Sequence, residues 1–198
     1  MRYRKLARGA VITGIVLATT AGALAGPATD QLKPQIDDVI ATLDNPALQV
    51  ESRTVERREA VRAITDRIFD WTVMARRALG QHWEERTVAE KIAFVPLFRE
   101  LMEQAFIGKI EQYGAESVAY VGESLDGDES LVRTRVTLRP SGDVGVDYRM
   151  AWQGTRWMIY DVLVERTSIV RNYRAQFDSV IKKSSYEELI RKIRGKVS

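Results

Sequence analysis

The chain has 198 residues, with 30 Lys and Arg against 27 Asp and Glu, one His and no Cys. This excludes disulfide frameworks, thiolate catalysis, Cys-ligated metals and a lipidated N-terminal Cys, and it leaves His82 as the one candidate for a His-based relay. The formal charge of +3 belongs to one end: residues 1–25 hold Arg2, Arg4, Lys5 and Arg8 and no acid, so residues 26–198 carry 26 basic against 27 acidic side chains, a net of −1.

Residues 1–25 follow the order of a secretory signal: a cationic start, an apolar run over 10–17, and small residues ending in Ala23-Leu24-Ala25 before Gly26. The rival is an uncleaved membrane anchor, but Thr19, Thr20, Gly22, Gly26 and Pro27 dilute its second half. We expect cleavage near Ala25, export, and a single domain over 26–198.

Leu32, Ile36, Val39, Ile40 and Leu43 form a helical stripe that Asn45-Pro46 stops. A second helix is predicted from about Thr54, with Val55, Val61, Ile64, Ile68 and Phe69 inside. The segment 69–83 is dense in aromatics, with Phe69, Trp71 and Trp83, and its short helix is expected to end at Gly80. Thr87 and Glu90 make a capping-box pattern before a long helix whose apolar positions include Val95, Phe98, Leu101, Met102, Phe106 and Ile110. Pro96 should bend that helix or mark its first turn.

After Gly114 the period changes to two. Strands are predicted over 117–121, 131–139, 144–152 and 157–164, with 122–129 as turn material. A two-residue Gly154-Thr155 hairpin would set Trp152 opposite Trp157, Met150 opposite Ile159, Tyr148 opposite Asp161 and Val146 opposite Leu163. The last strand is apolar on both faces and is expected to be central and covered on each side. Ile169, Val170, Tyr173, Phe177, Val180 and Ile181 form another helical stripe, and Ser185 with Glu188 caps a final helix. The order implies an α+β fold, a curved antiparallel sheet of about four strands covered by helices.

Three chemistries fit these residues. Asp161 opposite Tyr148 on an apolar face would suit a carboxylate base and phenol donor, although the simpler reading is that Asp161 takes a hydrogen bond from Tyr148 or pairs with an arginine. Arg133, Arg135, Arg139 and Arg149 share a sheet face, but the net of −1 disfavours a phosphate backbone. Large flexible and aromatic side chains are numerous enough to line an apolar ligand cavity as well as fill a core. No phosphate-cradling Gly loop, nucleophile elbow or metal-ligand spacing occurs.

Two blocks carry a resemblance: Met74-Ala75-Arg76-Arg77-Ala78-Leu79-Gly80 with Trp83, and Val146-Asp147-Tyr148-Arg149-Met150 followed by Trp157, Asp161-Val162, Ser168-Ile169-Val170, Asn172-Tyr173-Arg174 and Gln176-Phe177. They resemble the toluene-tolerance (Ttg2-type) family, the periplasmic phospholipid-binding MlaC component of the Mla lipid-asymmetry pathway. Arg166 departs from the glycine that the family usually has there. The resemblance implies an NTF2-like curved sheet around an acyl-chain pocket, bound phospholipid as cargo, no other cofactor and no catalysis. It also implies exchange between an outer-membrane lipoprotein complex and an inner-membrane ABC transporter complex. A hopanoid-associated branch would look similar. The expected pocket lining is Phe69, Met74, Phe98, Leu101, Met102, Phe106, Val146, Tyr148, Met150 and Ile159, with Arg76 and Arg77 as headgroup or partner contacts.

Overall fold

The computed structural model describes residues 26–113, 115–138 and 142–197, with side chains other than those of 106–116. The leader predicted over 1–25 lies outside the described residues.

Helix α1 (Pro27–Leu43) opens with Pro27 at its first position, where the missing N–H costs nothing. It packs on α2 (Thr54–Ile68) and reaches the sheet; α2 buries Val61, Ile64 and Ile68, whereas Val55 in its first turn, expected inside, is exposed. Asp70 caps α3 (Trp71–Leu79) by accepting the Val73 N–H, and Gly80 ends it at φ +59, followed by a single 3-10 turn, Gly80–Trp83. The capping box closes as predicted: Glu90 accepts the Thr87 N–H at 2.7 Å while the Thr87 hydroxyl accepts the Glu90 N–H at 3.2 Å. It opens α4 (Val88–Tyr113), which continues through Pro96 in its third turn, so Pro96 does not mark the start. The buried stripe of α4 begins one residue earlier than expected, at Phe94 rather than Val95, and continues through Phe98, Leu101 and Met102.

Five antiparallel strands follow in sequential order: β1 (Ala115–Asp126), β2 (Glu129–Leu138), β3 (Gly142–Trp152), β4 (Trp157–Val164) and the two-residue β5 (Thr167–Ser168). β1 runs through residues read as turn, because pairing with β2 overrides the weak strand preference of Gly122, Glu123 and Ser124; only Gly127-Asp128 forms the turn.

β4 is buried along almost its whole length, as expected, yet it is not central. Its partner β5 covers only Leu163 and Val164. Side chain and backbone from elsewhere close the rest of that edge: the Gln31 amide donates to the Trp157 carbonyl at 2.7 Å and accepts the Trp157 N–H at 2.8 Å, and the Asp70 N–H donates to the Ile159 carbonyl at 2.8 Å.

Helices α5 (Ile169–Lys183) and α6 (Tyr186–Val197) complete the cover. The Tyr173 and Phe177 rings of α5 meet Phe98 at centroid distances of 6.1 and 6.3 Å, and Phe177 meets Phe94 at 6.0 Å. An aromatic layer therefore fastens α5 to α4, and Tyr186 of α6 joins it 6.4 Å from Phe94.

Candidate functional site

The site builds from strand register. Thr134, Val132 and Ser130 of β2 stand opposite Val146, Tyr148 and Met150 of β3, and Tyr120 of β1 stands opposite Thr134. On the other side Met150 pairs with Ile159, as the hairpin predicted. A bulge then shifts the register between Arg149 and Met150, so Tyr148 faces Val162 and Val146 faces Val164 instead of Asp161 and Leu163. The bulge keeps apolar side chains on this face and removes Asp161 from it.

Most of the predicted lining residues come together. Met74, Phe98, Leu101, Met102, Tyr148, Met150 and Ile159 are buried in one apolar cluster, with Phe69 and Val146 half-buried against it. Phe69 stacks on Trp71 at 4.8 Å and bridges to Ile159. The Phe106 side chain lies outside the described residues. The cluster draws on α3, α4, β2, β3 and β4, so a ligand held within it would touch helices and sheet at once. Burial, aided by Asp147, pushes the Tyr148 phenol up to about 12 against a hydrogen bond with Thr134, and it stays protonated at neutral pH.

Asp161 is not part of a base–phenol pair. It is 4% exposed, accepts the Ser168 hydroxyl at 2.7 Å and the Val170 N–H at 3.2 Å, and lies 3.7 Å from the Arg149 guanidinium. Ser168 in turn caps α5 by accepting the Arg171 N–H at 3.0 Å. The carboxylate therefore joins β4 to the start of α5, and each acceptor site in this chain of bonds has a structural use. His82 is likewise structural: it is buried, and its Nε2 lies 2.9 Å from Asp178 of α5.

Arg77 lies over the Tyr160 ring at 4.1 Å, and Arg76 is exposed. A cleft of about 440 Å³ lies between the end of α3 and α5, lined by Leu79, Gln81, Arg171, Arg174, Ala175, Asp178 and Lys182. Its charged wall makes it unsuited to acyl chains. At the far end of the sheet, Glu123 accepts the Thr29 N–H at 2.8 Å, the Thr29 hydroxyl at 2.6 Å and the Ala28 N–H at 3.3 Å, capping α1 from β1. Burial alone would raise its carboxyl, but these bonds outweigh burial and hold it below the ordinary range.

The sequence model of the family described as "MlaC protein" matches residues 33–195. The chain belongs to the MlaC family. A curated relative, the intermembrane phospholipid transport system binding protein MlaC of Haemophilus influenzae, is 20% identical over 127 residues, which cover 62% of this chain and 59% of that one. The chain thus spans less than two thirds of that MlaC relative. A solved structure, the phospholipid-binding protein from Ralstonia solanacearum in complex with a phospholipid, superposes with a TM-score of 0.76 at 22% identity, covering 87% of this chain and 97% of that one. That likeness shows a shared fold: a curved sheet packed with helices.

Sequence reasoning missed Phe94, Val132, Thr134 and Tyr120 as members of, or neighbours to, this cluster. A signal for Phe94 was present, since it lies four residues before Phe98. Tyr120 had none beyond alternation with Val118 on a strand read as short.

Proposed function

We propose that this protein is a periplasmic lipid carrier that holds the acyl chains of a phospholipid in the apolar cluster between the sheet and α3 and α4. In this reading, export follows cleavage near Ala25, and the carrier passes lipid between an outer-membrane lipoprotein complex and an inner-membrane ABC transporter complex. The observation that carries it is the register of β2, β3 and β4. It presents Val132, Val146, Tyr148, Met150 and Ile159 on one face, buried against the flexible and aromatic side chains of the helices. The energetics suit carriage. Two acyl chains of about 30 methylenes are worth roughly 24 kcal/mol when removed from water at about 0.8 each. A bilayer offers them an equally apolar environment, so exchange between bilayer and pocket is nearly neutral and needs no catalyst.

The test is native mass spectrometry of gently purified protein followed by lipid extraction, and then uptake by delipidated protein from phospholipid vesicles. Co-purified and re-acquired phospholipid is the expected result. A protein that arrives empty and takes up nothing overturns the proposal, and recovery of a polycyclic lipid alone reassigns the cargo.

A further inference from the structure

Among the described residues, four side-chain atoms are screened from solvent without a hydrogen-bond partner: His82 Nδ1, Arg99 Nε, Ser130 Oγ and Tyr120 Oη. Three of them have a local electrostatic explanation. His82 Nδ1 lies 3.7 Å from Glu85 and Arg99 Nε 3.6 Å from Glu103, and Ser130 adjoins the Glu123 carboxylate. Tyr120 has none. Its polar neighbours, Tyr148 and Asp37, are not bonded to it, and Lys33 meets the face of its ring, 5.4 Å from the centroid, rather than the hydroxyl. Lys33 is itself paired with Asp37 at 2.7 Å.

A buried O–H without an acceptor costs free energy and is uncommon in native proteins, so it needs an explanation. The position supplies one. Tyr120 stands opposite Thr134 in register, on the face that carries Val132, Val146 and Tyr148, and its ring packs half-buried against the apolar cluster. The exposed Lys33–Asp37 pair lies just above it on α1. The hydroxyl thus sits where the apolar interior meets the charged rim, the depth at which a glycerolipid changes from hydrocarbon to ester. Thr134, its neighbour in register, donates its hydroxyl to the Val146 carbonyl at 2.5 Å and makes no hydrogen bond with Tyr120.

We infer that the Tyr120 hydroxyl is an unfilled donor for the cargo, placed to hydrogen-bond an acyl-ester carbonyl of a bound glycerolipid and so to select ester-linked lipids over ether-linked or hydrocarbon-rich ones. This rests on the carrier reading and deepens it, since general apolar burial gives no such selection. One neutral hydrogen bond gained on binding is worth about fivefold in affinity.

The experiment presents delipidated protein, wild type and Tyr120→Phe, with mixed vesicles of diacyl phosphatidylglycerol and its dialkyl-ether counterpart of equal chain length, and reads the ratio of bound lipids by mass spectrometry. Wild type is expected to take the diacyl lipid about fivefold more than the ether lipid, and Tyr120→Phe to take both equally. The lipid-free variant should unfold no earlier than wild type, because the lost hydroxyl had no partner. Wild-type uptake without ester preference, an unchanged preference in Tyr120→Phe, or a lipid-free variant that melts well below wild type would each overturn the assignment. A wild-type protein that takes up neither lipid overturns the carrier reading, and this assignment with it.

Discussion

At the scale of single residues, the turn between β4 and β5 holds two non-glycine residues in a left-handed backbone. Glu165 and Arg166 both have positive φ, +47 and +63, a conformation that costs an L side chain about 1 kcal/mol and glycine almost nothing. The loop around Arg166 therefore keeps a glycine-type backbone with a non-glycine residue in it. Arg166→Gly is expected to stabilise the protein by up to about 1 kcal/mol, read as a higher urea midpoint with unchanged slope; a lower midpoint would mean that the Arg side chain contributes more than its backbone costs. Glu123 gives a residue-scale dependence on pH. Its folded carboxyl titrates below the ordinary value of about 4.3, so its contribution is fully present above that pH and disappears as pH falls through the lower folded value. Glu123→Gln should cost about 1 kcal/mol at pH 7, the value of a helix cap, and the gap between variant and wild type should close below about pH 4. Thermal unfolding across that range checks it, and a constant gap would assign the loss to packing instead.

Elements were legible in the sequence where local chemistry decides them. The Thr87–Glu90 box, Gly80 at φ +59 and the Gly154 turn act within a few residues of themselves, so they set the start of α4, the end of α3 and the first two pairs of the β3–β4 hairpin. The rest depends on partners far away in the chain. The strand character of Gly122–Asp126 comes from β2, and the cover on the edge of β4 comes from Gln31 and Asp70, which no periodicity in β4 could announce. The bulge is the costliest omission, because one extra residue moved Asp161 from the apolar face to the junction with α5. The lining residues on β3 kept their face, whereas the donor on β1 was invisible while that strand was read as short. The junction makes its own prediction. Asp161→Ala leaves the Ser168 hydroxyl and the buried Val170 N–H without an acceptor, so it should cost about 2–3 kcal/mol, and Asp161→Asn, which keeps one acceptor oxygen, should cost less. Urea unfolding measures both. Lipid uptake by the Asn variant should match wild type, and its loss without a change in stability would return Asp161 to the ligand site.

For the whole molecule, the charge balance and the core lead to one argument. Without residues 1–25 the chain is close to neutral, so it has little electrostatic reason to adhere to an anionic membrane surface. It carries no Cys, so no disulfide compensates for whatever stability a ligand pocket removes from the core. On the proposed carrier reading, the protein depends on its cargo for part of its stability, because a ligand bound only by the folded state stabilises that state by mass action. With free lipid at about 100 times the dissociation constant the gain is about 2.7 kcal/mol. For a domain of this size, each kcal/mol moves the melting temperature by roughly 2–4 °C. Delipidated protein should therefore melt about 5–10 °C below the lipid-loaded form, and re-addition of phospholipid vesicles should restore the difference in a concentration-dependent way. Calorimetry of the two forms decides the matter. Identical melting temperatures would mean that the apolar cluster closes on itself as an ordinary core, and the acyl chains would then need another home.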